Sequence, residues 1–369
     1  MDFRARAESL LEQADIRIDG DRPQDLRVHE PRLYKRIFAE GSLGFGEAYI
    51  QGWWDCQRLD DFFYRVFRLP QIEDIERINT TRLRWLSRLT DMQSLRRAMQ
   101  VGEKHYDAGN DLFAQMLDRN MIYSCGYWRD AADLDAAQLA KLDLVAKKIA
   151  LKPGMRVLDI GCGWGGAARH FARQYGVEVV GITISREQAA WAREWCEGLP
   201  VEVRIQDYRL IEGRFDAIYS IGMFEHVGYK NYRAYFEVAR RCLSDQGLFL
   251  LHTIGNNITT THTDPWIHKY IFPNGLLPSA AQISSACEGL FVIEDWHNFG
   301  PDYDRTLMCW HENFERAYPQ LADAYPEDFR RMWRYYLLSC AASFRARRTQ
   351  LWQVLLAPST RTAAAPVVR

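Results

Sequence analysis

The feature that most constrains the fold is a strand that runs straight into glycines. Val157 to Ile160 (VLDI) is followed by Gly161-Cys162-Gly163-Trp164-Gly165-Gly166 and then by a segment of helical spacing. Glycines there permit positive φ and close backbone approach, so a ligand can lie over the carboxyl end of the strand. Around this loop, helix and strand patterns alternate, the order of an α/β domain with a mainly parallel sheet. Leu139, Leu142, Val145 and Ile149 recur at helical spacing until Pro153-Gly154 stops the helix. Buried-strand patterns follow at Arg156 to Ile160, Glu178 to Ile184, Val201 to Gln206, Phe215 to Ile221 and Leu248 to Thr253. An apolar run at Phe291 to Asp295 and an alternating one at Gln350 to Leu356 complete a seven-stranded sheet. The last follows a long helical segment and is expected as a reversed edge strand.

Neighbouring residues narrow the ligand of the loop. Gly161, Gly163 and Gly166 match the dinucleotide fingerprint GxGxxG, which also needs an acid about 20 residues on to hold a ribose. The second strand ends in Gly181-Ile182-Thr183-Ile184-Ser185, without a carboxylate. Asp159 instead stands where the acid of the acid-x-Gly-x-Gly motif of S-adenosylmethionine-dependent methyltransferases stands. That cofactor has no pyrophosphate, and its methionine ammonium needs hydrogen-bond acceptors. Gln206-Asp207, ending the third strand, holds the usual place of an adenine contact, and Thr183 and Gln188 substitute for the missing ribose acid. The competing reading is a glycine turn without a ligand.

Composition limits the partners. Lys and Arg total 47 against 48 Asp and Glu, a net charge of −1 that offers nucleic acid or an anionic membrane no bulk attraction. A local one is still open. Between Glu73 and Gln100, arginines including Arg84, Arg88 and Arg97 interleave with Leu83, Trp85 and Leu86, a pattern suited to an anionic lipid surface and equally to a solvated interdomain helix. Residues 1–72 read as a small α+β domain, 73–100 as a basic helical linker and 101–369 as the catalytic domain. No secretory h-region follows the amino-terminal charges, and no apolar run reaches the ~18 residues of a membrane span. The eight cysteines are never closer than 22 residues, which excludes CxxC metal or redox pairs and suits reduced thiols in a cytoplasmic protein. No metal is expected. The conspicuous excess is aromatic, with 18 Tyr, 18 Phe and 12 Trp.

Longer motifs carry a resemblance. Lys104-His105-Tyr106-Asp107 with Gly109-Asn110-Asp111, YSC at 123–125 with Tyr127-Trp128, GCGWGG at 161–166, GMFEHVG at 222–228, LHTIG at 251–255 and YIFPNG at 270–275 follow one another in the chain. In this order they resemble bacterial cyclopropane-fatty-acyl-phospholipid synthases, from the first helix to about Val354. The resemblance implies a Rossmann-like, seven-stranded methyltransferase domain after a small α+β domain. It also implies an activity: transfer of a methylene from S-adenosylmethionine across a cis double bond of a phospholipid acyl chain. Tyr123, Ser124, Trp164 and Gly165 join the implied cofactor contacts.

An unactivated alkene is a poor nucleophile and must be held dry against the sulfonium methyl. Its attack leaves a carbocation that a base must deprotonate, and aromatic faces can stabilise such a cation without trapping it. The resemblance implies bicarbonate as that base, with Cys125, Glu225, His252, the Ile254 backbone and Tyr303 as ligands. Singly, each has a plainer reading as core packing or a satisfied loop pair. Cys340 is a weaker catalytic candidate, since Leu337, Leu338, Ala341 and Phe344 around it favour a structural thiol. Trp266, Tyr270 and Phe272 suit an acyl tunnel or an ordinary aromatic core. The expected protein is a cytoplasmic enzyme at the inner face of the membrane, with membrane phospholipids but not nucleic acid as partner and a homodimer left open. Its rivals are a methyltransferase that makes branched lipids or methylates an amine, and a lipid-binding protein with a degenerate cofactor fold.

Overall fold

The computed structural model describes residues 2–70 and 109–369. The basic stretch 73–100 and Lys104 to Asp107 lie outside the described residues. The chain forms two compact units that cut across sequence order.

One unit takes the described residues of Met1–Thr90 with Thr261–Pro273 and Tyr303–Thr349. Its only strands among the described residues are the short antiparallel pair β1 (Arg27–Val28) and β2 (Trp54–Asp55). The Gly-rich stretch 41–52 (GSLGFGEAYIQG) is mostly helical. All of it up to Ile50 lies within the helix Arg32–Ile50, which kinks at Gly41 (φ 60°, ψ −136°). A Cβ on Gly46 would fall 2.4 Å from the Trp266 ring, so the small residue lets the indole lie on the helix. Arg331 ties this unit together. Its Nε donates to Tyr49 O at 2.7 Å and its terminal nitrogen to Trp54 O and Asp55 Oδ1 at 3.0 and 2.7 Å.

The other unit takes the described residues of Asp91–Thr260, with Asn274–Asp302 and Gln350–Arg369. It holds β3 (Arg156–Ile160), β4 (Glu178–Thr183), β5 (Val201–Ile205), β6 (Phe215–Ile221), β7 (Leu243–Asn256), β8 (Phe291–Asn298) and β9 (Thr349–Pro358). They form one seven-stranded sheet in the order β5-β4-β3-β6-β7-β9-β8. Strands β3 to β7 pair in parallel, and β9 pairs antiparallel with β8. The β3 run Val157 to Ile160 is buried throughout, as a parallel strand covered on both faces must be. One apolar cluster holds Tyr235, Phe236 and Phe249, and another holds Leu142, Val145, Phe171 and Tyr219.

The last strand is reversed relative to β8 but is not the edge. It lies between β7 and β8. Its alternation of apolar and polar residues looks half-exposed, yet Gln350 and Gln353 are buried; β8 is the edge and exposes Val292 and Ile293. Polar side chains inside β9 therefore mark internal hydrogen bonding rather than solvent.

Candidate active site

Between β3 and the helix Gly166–Tyr175, the loop holds Gly161, Gly163 and Gly165 at φ 94°, 54° and 85°. These left-handed angles are where glycine avoids a Cβ penalty. A Cβ at Gly163 would have no atom within 4 Å, so that stretch of the loop borders open space. The Gly161 and Cys162 N–H groups donate to Ile182 O at 3.0 and 2.9 Å, which ties the loop to β4. Trp164 Nε1 donates to Asn110 Oδ1 at 2.8 Å, and Trp164 and Tyr123 both pack on Phe113.

Asp159 lies inside the sheet, opposite Tyr219 in register, and its Oδ2 accepts from the Tyr219 hydroxyl at 2.8 Å. Burial pushes its carboxyl up to about 7 against the pull of Tyr219 and Lys141. Thr183 Oγ1 donates to Gln188 Oε1 at 3.1 Å, so the two residues read as ribose contacts pair with each other. The Asp207 carboxylate is held by Arg209, whose Nε donates at 2.8 Å, and Gln206 Nε2 donates to Leu210 O at 2.7 Å.

Ser124 is gripped from the helix Leu134–Lys148: Gln138 Nε2 donates to its carbonyl at 2.7 Å and Lys141 Nζ to its Oγ at 2.8 Å. Next to it, Cys125 is fully buried with its Sγ donating to Gly126 O at 3.1 Å.

Glu225 lies in a short helical turn after β6, and its Oε1 accepts from the Ile254 N–H at 2.7 Å. Its Oε2 is buried with no hydrogen-bond partner. Burial pushes the carboxyl up to about 7, although the Ile254 amide, its own amide and the Thr253 hydroxyl pull the other way. His252, two residues before Ile254 on β7, is 1% exposed, and burial holds its imidazole neutral. Gln353 on β9 places its Nε2 3.3 Å from His252 Nδ1. In this amide orientation Nδ1 accepts, which assigns the imidazole proton to Nε2; Nε2 and Gln353 Oε1 are both buried without a partner. The unit thus holds a buried donor and a buried acceptor, both unsatisfied, on residues linked through Ile254. An unsatisfied buried polar pair is costly and suits a small polar guest.

The remaining predicted residues belong to the first unit. Tyr303 packs on Trp310 and Phe344, with ring centroids 5.9 and 4.6 Å away. Burial pushes the Cys340 thiol up to about 12, which keeps it protonated at neutral pH. Trp266 lies 4.4 Å from Tyr335, Tyr270 donates to Glu47 at 3.0 Å, and Phe272 sits 5.8 Å from Tyr336. Sequence reasoning did not single out Gln353 or Lys141. For Gln353 a signal exists, an amide in the middle of the apolar run LWQVLL; for Lys141, a cation at a helical position that faces the sheet, none was legible.

The mycolic acid cyclopropane synthetase family model matches residues 93–354. The chain belongs to this family. A cyclopropane-fatty-acyl-phospholipid synthase of Escherichia coli K12 is 55% identical over 350 residues, which cover 95% of this chain and 92% of that protein. A probable fatty acid methyltransferase of Pseudomonas putida is 39% identical over 68% of this chain and 67% of its own length. Among solved structures, the mycolic acid cyclopropane synthase CmaA1 complexed with SAH and CTAB superposes with a TM-score of 0.66 at 32% identity, covering 70% of this chain and 97% of that one. This member of the cyclopropane synthetase family is therefore an S-adenosylmethionine-dependent enzyme of the methyltransferase class, and its fold is the mostly parallel seven-stranded sheet expected of one.

Proposed function

We propose that this chain is a cyclopropane-fatty-acyl-phospholipid synthase whose proton handling centres on Glu225 and His252. The supporting observation is the pair of buried, unsatisfied atoms, Glu225 Oε2 and His252 Nε2, on the fold of the family. The cofactor supplies an electrophilic methyl on a sulfonium. The alkene carbon bonds to that methyl as the sulfur–methyl bond breaks; a proton then leaves the new methyl, and its electron pair closes the ring on the adjacent cationic carbon. One methylene is added and one double bond is consumed.

Bicarbonate fits the donor set in part. His252 Nε2–H could donate to it and Glu225 Oε2 could accept from it, while Ile254 N–H and Cys125 Sγ donate to Glu225 and Gly126. Bound there it would supply a small base in a site closed to water. Glu225 Oε2 is the side-chain atom that takes up the proton, and its ionisation near neutrality matches that task. Tyr303, the aromatic residues Trp266, Tyr270 and Phe272, and the amino-terminal unit belong to the same proposal as anion ligand, acyl wall and lipid-facing element. So do peripheral attachment to the inner face of the membrane and contacts of Gln206, Asp207, Thr183 and Gln188 to the cofactor.

Lipids extracted from a host that lacks cyclopropanes, after expression of this chain, should show acyl chains heavier by one CH₂ with the olefinic protons gone. Unchanged unsaturated chains, with folded enzyme and supplied cofactor, would refute the activity. The relative named a fatty acid methyltransferase favours a second reading, a methylene branch of the same mass, which NMR separates by the absence of ring protons. Turnover should also rise with pH through about 7, because Glu225 must be ionised to take up a proton and its carboxyl is pushed up to about 7. A flat rate profile between pH 6 and 8, roughly one unit either side, would remove Glu225 from the proton path.

A further inference from the structure

We infer that Lys141 is a specificity-determining positioning residue that, through the Ser124 hydroxyl, selects the carboxylate of the cofactor's methionyl group. This rests on the reading of Ser124 as a cofactor contact. Lys141 is completely buried, and its Nζ lies 2.8 Å from Ser124 Oγ. An ammonium only donates, whereas a hydroxyl has one proton to give and two lone pairs to receive. With one lone pair taken by Nζ, the Ser124 O–H is directed away from the lysine as a donor. The neighbouring carboxylates have other bonds: Asp118 accepts from the Asn120 and Ile122 amides at 2.8 and 2.9 Å, and Asp159 from Tyr219.

What lies beyond Ser124 is set by the sheet. A Cβ built on Gly222, just after β6, would come 3.9 Å from Ser124 Cβ. Strand order reverses between β3 and β6, and open α/β sheets take their ligands in the crevice at that point. A hydroxyl donor backed by a cation attracts a carboxylate and repels an ammonium, so it distinguishes the two charged groups of the methionyl end. Burying an ammonium is costly; Asp118 and Asp159 offset part of that cost, and an anionic guest beside Ser124 offsets more. Burial lowers the lysine to about 8 while Asp118, Cys125 and Asp159 pull it up, so it carries its charge at neutral pH.

The test is calorimetric titration of wild type, Lys141→Met, Ser124→Ala and the double variant with two probes, S-adenosylmethionine and its decarboxylated analogue. Lys141→Met should weaken S-adenosylmethionine binding about 10-fold or more, the range of a lost charge-assisted hydrogen bond, and leave the analogue within about twofold. In the Ser124→Ala background, adding Lys141→Met should change neither affinity further. Equal losses for both probes, or additive losses in the double variant, would make Lys141 merely structural and overturn the assignment. Should Lys141→Met fail to fold, Ser124→Ala alone decides: discrimination between the probes must fall, and its full retention overturns the proposal. Failure of the wild type to prefer S-adenosylmethionine over the analogue would instead strike the reading of Ser124 itself.

Discussion

Glu225→Gln is expected to bind S-adenosylmethionine with wild-type affinity and to lose about 10²- to 10⁴-fold in turnover, the usual contribution of a positioned proton-transfer group. The substitution keeps the shape of the side chain and an oxygen able to accept from the Ile254 N–H, so the link between the turn after β6 and β7 survives. What disappears is the ability of the second oxygen to take up a proton. In the wild type that oxygen is buried without a partner and the carboxyl titrates at about 7 because burial disfavours its charge. A neutral amide there has no such transition. The loss should therefore appear in turnover rather than in cofactor affinity, measured by steady-state rates beside calorimetric titration. Near-normal turnover would show that Glu225 is structural. The pH limb near 7 should vanish with it.

Much of this site could be read from the chain, because its motifs are local. The passage from a buried strand into GCGWGG required positive φ, and Gly161, Gly163 and Gly165 take it. The resemblance implies Glu225 and His252 through the short segments GMFEHVG and LHTIG, and Ile254 lies with His252 on one strand two residues on, so the chain itself keeps them together. Two kinds of information were not local. The amide of Gln353 comes from β9, about a hundred residues beyond His252, and only the insertion of β9 beside β7 brings it there. A strand-like pattern at the end of the chain says nothing about which neighbours it enters between. Buried charge was equally hidden. Lys141 and Lys148 lie on one helix and both are fully buried, although a lysine in a helical pattern ordinarily reads as surface. Lys148 is compensated by Asp295 on β8 at 3.2 Å, a partner that only the folded sheet supplies. The same limit applied to Thr183 and Gln188, whose mutual hydrogen bond is invisible in their spacing.

Gly166→Ala should test how the cofactor loop is braced, and the expected effect is large for one methyl group. Gly166 opens the helix after the loop, and a Cβ there would stand 1.9 Å from the Asn120 carbonyl oxygen and 2.8 Å from Ile122 Cδ1. The carbonyl cannot simply swing aside. The Asn120 and Ile122 amides are both held by the buried Asp118 carboxylate, so yielding would break its bonds and displace the Tyr123-Ser124-Cys125 segment that follows. Overpacking of this kind costs about 1–3 kcal/mol, and a clash with backbone belongs at the upper end. Gly163→Ala is the control. Its Cβ would meet no atom within 4 Å, so its cost of about 1–2 kcal/mol comes from the left-handed angle alone and stays within the loop. Thermal melts should accordingly place Gly166→Ala below Gly163→Ala, and calorimetry should show S-adenosylmethionine binding in Gly166→Ala weaker than in the wild type if Ser124 moves with Asn120. A Gly166→Ala protein that melts with the wild type and binds cofactor as tightly would mean that the 120–125 segment is not braced against the glycine loop. Tight bracing leaves the loop no room to take up the methyl, so strain reaches Ser124 and Cys125 together, whereas a loose segment would absorb it before either residue shifted.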